Sequence, residues 1–161
     1  MLLRKEERWF VEDSCWERVE MKIVLLGAGG MGQLALKDLV SSGVESVVVA
    51  DYDKGKAELL AETYGGQGTQ VSAEFVDAND HASLLRVMQD ADVVASTVGP
   101  FSEYGVKVLR AAIEAEVNFV DICDDPQPTV DELNLHDEAE QAGITVVVGM
   151  GNNPGVGNLC A

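Results

Sequence analysis

The chain has 161 residues, about the size of one domain, and its 47% hydrophobic and 24% charged content excludes a disordered tail and argues against a second full domain. Acidic residues outnumber basic ones 28 to 11, and the resulting formal charge of −17 repels nucleic-acid phosphates and anionic lipid surfaces. The three cysteines, Cys15, Cys123 and Cys160, lie far apart and form no CxxC pair. No zinc site or disulfide framework is expected, and a reducing cytoplasm is the default setting.

Residues 1–20 mix Arg4, Lys5, Arg8 and Arg18 with acids and hold no apolar core of a signal peptide. They read as an N-terminal extension, with Trp9, Phe10 and Trp16 available for packing, ahead of a domain at 21–161. From Lys22 onward, short apolar runs alternate with stretches of helical periodicity, the pattern of βαβ units and a parallel sheet. Six strands are predicted, at 22–26, 46–50, 70–76, 92–96, 118–121 and 144–148. Each is apolar throughout, as strands covered on both faces are. Helices fill the gaps. Gly32, Leu36, Leu39 and Val40 mark the first, which Gly43 ends; Ala57, Leu60 and Ala61 mark the second; Leu84, Leu85 and Met88 mark the third. A fourth helix is predicted from Ser102 or Glu103 to Glu116. A fifth runs from Val130 to Gly143, with Thr129 as N-cap and Glu132 completing a capping box after a loop at Pro126 and Pro128. The fold class is therefore α/β, a doubly wound parallel sheet (Rossmann fold) of about six strands with helices on both faces.

Directly after the first strand stands Gly27-Ala28-Gly29-Gly30-Met31-Gly32, a GxGxxG run leading into a helix. Gly27 permits the tight turn, Gly29 lets a pyrophosphate approach the backbone, and Gly32 allows the helix to sit close to the strand. About 20 residues further on, Asp51 ends the second strand, where a carboxylate accepts hydrogen bonds from an adenosine ribose and repels a 2′-phosphate. This favours NAD, with NADP left open by Lys54 and Lys56, either of which would neutralise a phosphate if Asp51 turned away. Tyr52 follows Asp51 on the same rim. Asp77 and Ala78 close the third strand on the adenine side, and Asn79 or Asp80 reads as a helix cap. Thr97, Val98, Gly99, Pro100 and Phe101 follow the fourth strand, at the edge where doubly wound sheets hold their ligands. No metal site is expected, and no side chain is singled out as catalytic, because a nicotinamide cofactor carries hydride chemistry itself.

The order of these segments resembles the amino-terminal half of the saccharopine dehydrogenase family, which includes lysine and carboxynorspermidine dehydrogenases. The resemblance rests on Ile23 to Gly32, Ala50-Asp51 with Lys56-Ala57, Val76-Asp77 with Asp80 to Leu84, and Asp92-Val93-Val94 with Val98 to Phe101. It continues through Val108-Leu109, Ala111-Ala112 and Asn118 to Asp121 to the end segment Gly149 to Gly155, where the family often has Asp in place of Asn153. The resemblance implies an NAD(P)-linked enzyme that forms or oxidises a carbon–nitrogen bond of an amino acid or polyamine. It also implies a second, substrate-carrying domain, so that this chain would be a fragment inactive by itself and self-associating as a homodimer. Asp121 and Asp124 are the candidate carboxylates for a substrate ammonium. An NAD-sensing regulatory domain of the potassium-transport type shares the glycine run and the acid; the Val98-Gly99-Pro100-Phe101 segment fits the enzyme better. The surplus of carboxylates also suits a protein from a salt-rich cytoplasm.

Overall fold

The computed structural model describes residues 4–5, 8–9, 20–66 and 68–160. Phe10, Cys15 and Trp16 of the expected extension lie outside the described residues, while Arg4–Lys5 and Arg8–Trp9 form a two-residue antiparallel ladder of their own. The domain then alternates strictly. β1 (Lys22–Leu26) leads to α1 (Gly30–Ser41), β2 (Ser46–Asp51) to α2 (Lys54–Tyr64), and β3 (Gln70–Phe75) to α3 (His81–Met88). β4 (Val93–Ser96) leads to α4 (Phe101–Glu114), and β5 (Asn118–Asp121) to α5 (Pro126–Leu133) and α6 (His136–Ala142). A short β6 (Val146–Val147), a π-helical turn (Asn152–Val156) and α7 (Gly157–Cys160) complete it.

All six strands run parallel in the order β3-β2-β1-β4-β5-β6. Because successive side chains point to opposite faces, each strand feeds two cores. Leu25, Val47 and Val49 pack with Leu36, Val40, Ala57 and Leu60 of α1 and α2 on one face. Val24, Leu26, Val94 and Phe119 pack with Leu84, Met88, Val108 and Leu109 of α3 and α4 on the other. Full burial of each such side chain contributes about 1.5–3 kcal/mol. The chain passes from one face to the other between β3 and β4, which is where the strand order reverses.

The register aligns the strand ends. Leu26 lies beside Ala50 on one side and Ser96 on the other, and Ser96 lies beside Asp121. The residues one step further, Gly27, Asp51 and Thr97, therefore share a single rim, and ligands of doubly wound sheets bind outside that rim at the reversal point between β1 and β4.

Two expectations change. The fifth helix is two helices separated at Asn134 and Leu135, and it begins at Pro126 rather than after Thr129. Proline is tolerated in a first turn, where its missing N–H has no partner to lose, so Pro126 and Pro128 open α5 instead of preceding it. Thr129 is no cap: its hydroxyl donates to the Asp125 carbonyl at 2.9 Å. The last strand shortens to Val146–Val147 at the sheet edge, where a single neighbour supplies its hydrogen bonds.

Candidate nucleotide site

The glycine loop combines two crowded positions, Gly27 and Gly32, with two open ones, Gly29 and Gly30. Gly27 adopts φ +98°, and its N–H donates to the Ala50 carbonyl at 2.8 Å, which joins the loop to β2. A Cβ here would stand 2.7 Å from Thr97 Oγ1. At Gly32, in the first turn of α1, a Cβ would overlap the Gly27 carbonyl oxygen, so both residues must be glycine for α1 to lie against β1. Gly29 and Gly30 are the reverse: a Cβ on either meets nothing within 4 Å, and their backbone faces open space. No side chain caps α1 at Gly29, which leaves the first-turn amides and the positive end of the helix available to an anion.

Asp51 is held by its own rim. One carboxylate oxygen accepts from Ala28 N at 2.6 Å and the other from Asp53 N at 2.8 Å. Each oxygen keeps a free lone-pair direction, so the half-buried carboxylate is preset to accept from hydroxyls in the cleft. The two nearby lysines are engaged elsewhere, Lys54 with Glu58 at 3.8 Å and Lys56 with Asp53 at 3.6 Å. Thr97 closes the opposite wall, its hydroxyl donating to the Leu26 carbonyl at 2.9 Å.

Between these walls lies a cleft of about 530 Å³. It gathers Gly27, Gly29, Asp51 and Tyr52 from the first βαβ unit and Asp77, Ala78, Thr97, Val98 and Gly99 from the following strand ends. Exposed Tyr52 leans on Phe75, with ring centres 5.6 Å apart. Asp77 accepts from Asn79 N at 2.8 Å, and Asp80 caps α3 through Ala82 N at 3.0 Å, as its position predicts. Gly30, Met31, Gly32, Pro100 and Phe101 do not line the cleft; Gly32 is buried in the packing of α1 and Met31 is exposed at 54%.

Tyr104 lines the cleft without having been predicted, and Asn79, read from the sequence only as a cap, joins it. Lys107 ties them together: its ammonium donates to Asn79 Oδ1 at 2.7 Å and lies 5.4 Å from the centre of the Tyr104 ring. Tyr104 stands in the first turn of α4, shortly after the strand-end segment Thr97 to Gly99 that walls the cleft.

Asp121 departs from expectation. It is 1% exposed and points inward, with Oδ1 accepting from Cys123 N at 3.0 Å and Gly149 N at 2.8 Å. It presents nothing to a ligand, because the turn after β5 wraps around it; Asp124 stays exposed on that loop. Beside Asp121 lies Glu132, also buried, at 2% exposure. Loss of water and the neighbouring Asp121 carboxylate push its pKa from 4.5 up to about 8. Burial likewise raises the Cys123 thiol, which disfavours a thiolate.

A parallel sheet of this order, a glycine turn with an open helix end and a carboxylate at the end of β2 define a dinucleotide-binding Rossmann domain, and the residues present fit that ligand. A family model for the saccharopine dehydrogenase NADP binding domain matches residues 23–147. The chain belongs to that family and is an NAD(P)-binding domain of the oxidoreductase kind. Its fold superposes on apo saccharopine dehydrogenase (L-Glu forming) from Saccharomyces cerevisiae with a TM-score of 0.74 and 27% identity, over 87% of this chain and 29% of that one. Quinate dehydrogenase from Corynebacterium glutamicum in complex with NAD shares the fold at TM-score 0.60 and 23% identity, over 83% of this chain and 45% of that one. By sequence, glutamyl-tRNA reductase from Bacillus cereus is 32% identical over 139 residues, 80% of this chain and 29% of that protein. The chain thus spans less than a third of the length of the curated relatives it matches. Among the described residues, no helix is long and apolar enough to cross a membrane.

Proposed function

We propose that residues 21–161 form the nucleotide-binding domain of an NAD-linked oxidoreductase acting on a carbon–nitrogen bond of an amino acid or polyamine, with residues 1–20 as an extension to it. The observation that carries the cofactor preference is Asp51, whose two anchored oxygens put a fixed negative charge on the ribose side of the cleft. A 2′-phosphate would meet that charge, and Lys54 and Lys56 could offset it only by leaving the carboxylates they are paired with. When bound, a nicotinamide dinucleotide supplies the hydride acceptor or donor. This chain's residues bind and orient it. Gly29 and the open end of α1 receive the pyrophosphate, and Asp51 receives the ribose hydroxyls. Tyr52, Asp77 and Ala78 enclose the adenine side; Thr97, Val98 and Gly99 wall the nicotinamide side. Asp124 is the exposed carboxylate left to meet a substrate ammonium, now that Asp121 faces inward. The substrate class rests on membership of the saccharopine dehydrogenase family. Free Cys123 and Cys160 suit the reducing cytoplasm that the same reading assigns.

Calorimetric titration with NADH and with NADPH tests this reading. NADH is expected to bind about tenfold or more tightly than NADPH, the scale of one hydrogen bond to a charged group, and Asp51→Asn to narrow the gap. Tighter NADPH binding, or no binding of either, overturns the proposal.

A further inference from the structure

We propose that Glu132 is a positioning residue that shares one proton with Asp121 and thereby locks the loop after β5 to the end of β6. Asp121 Oδ2 and both carboxylate oxygens of Glu132 are buried with no donor bonded to them among the described residues. Two neighbouring carboxylates withdrawn from bulk solvent, with no cation paired to either among the described residues, cannot both stay ionised without a large cost. One proton resolves the conflict. Placed on Glu132, it is donated to Asp121, and it leaves a single carbonyl-type oxygen under-satisfied, a far smaller cost than a buried charge.

The surrounding packing accommodates that pair. A Cβ at Gly105 of α4 would collide with Glu132 Oε1, so the glycine keeps open the space that the carboxyl fills. Asp121 in turn ties three stretches of chain together. Its side chain holds Cys123 N and Gly149 N, and its carbonyl accepts from Met150 N at 2.8 Å. The groups facing Glu132 are few. β5 and its loop bring Asp121 and Cys123, α5 itself brings Asp131, and α4 turns Gly105 and Leu109 toward it. His136 and Glu140 of α6 line the adjoining cavity of about 340 Å³.

The direction of the pH effect follows. Glu132 binds its proton more tightly in the folded protein than in an opened one, about 8 against 4.5. The lock is therefore fully present below the lower value, weakens as pH rises between the two, and is lost once pH passes the upper one.

The test is hydrogen exchange at the Cys123 and Gly149 amides in the wild type and in Glu132→Gln, whose amide donates to Asp121 without titrating. Wild-type protection is expected to fall between about pH 5 and about pH 8, by up to about tenfold per pH unit, while the variant keeps its protection. A parallel loss in both proteins overturns the proposal. If the variant does not fold, carboxyl-carbon NMR of the wild type decides alone: a step near pH 8 from this pair supports the shared proton, and ordinary titration of both groups in the acid range overturns it. The lock needs no bound nucleotide, so failure of NADH binding with protection intact counts against the cofactor reading and leaves this one standing.

Discussion

Asp51 and Asp121 both end buried parallel strands, yet the fold uses them in opposite ways. Asp51 has both oxygens on backbone amides, stays half-exposed and opens onto a cleft. Asp121 is 1% exposed, with one oxygen on two amides and the other facing Glu132. The rim at β2 lies next to the reversal of strand order and opens onto the cleft. The rim at β5 lies under α5 and the returning segment at Gly149. Position in the sheet, rather than residue type, decides which carboxylate opens onto a cleft and which is enclosed by the fold.

The comparison breaks most readily at Gly32. Gly32→Ala drives a Cβ into the Gly27 carbonyl and forces α1 away from β1, and urea unfolding is expected to show a loss of about 1–3 kcal/mol together with loss of NADH binding. Unchanged stability would mean that α1 is free to shift and that the loop is less constrained than the contact implies. Next comes Asp51→Asn, expected to weaken NADH by roughly tenfold to a hundredfold in calorimetry while changing the melting temperature little, because the amide oxygen still accepts from Ala28 N or Asp53 N. Glu132→Gln acts on the other carboxylate. Near pH 5 its stability should match the wild type, and near pH 8 it should exceed it by about 1 kcal/mol or more, read as diverging melting temperatures. An equal response to pH in both proteins would erase the distinction between the two strand ends. Smallest is Lys56→Ala, which removes an exposed pair with Asp53 and is expected to shift stability by less than about 0.5 kcal/mol and leave NADH affinity within about twofold. A large loss of affinity would place Lys56 at the nucleotide after all.

The legible parts of the molecule were the ones encoded by neighbours in the chain. β1 to β5 fall within a residue or two of their apolar runs, and Gly27, Gly29, Asp51, Thr97 and Gly99 meet in one cleft as their spacing implied. Pro126 and Pro128 misled, since the same prolines suit a loop or a first helical turn and only the packing of α5 on α4 selects between them. Glu132 misled for a related reason. A glutamate three residues after a threonine matches a capping box, but the space left by Gly105 and the carboxyl of Asp121 draws it inward instead.

Residue order alone determines the alternation of strands and helices, the glycine turn and the acid at the end of β2. These depend on short-range periodicity and on backbone angles open to glycine, which act within a few residues. The inward turn of Asp121, the burial of Glu132 and the recruitment of Tyr104 and Asn79 to the cleft were decided by tertiary structure. Each depends on which groups lie across from a side chain once the sheet and helices have packed, and on whether that environment leaves a carboxylate in water or shares its proton.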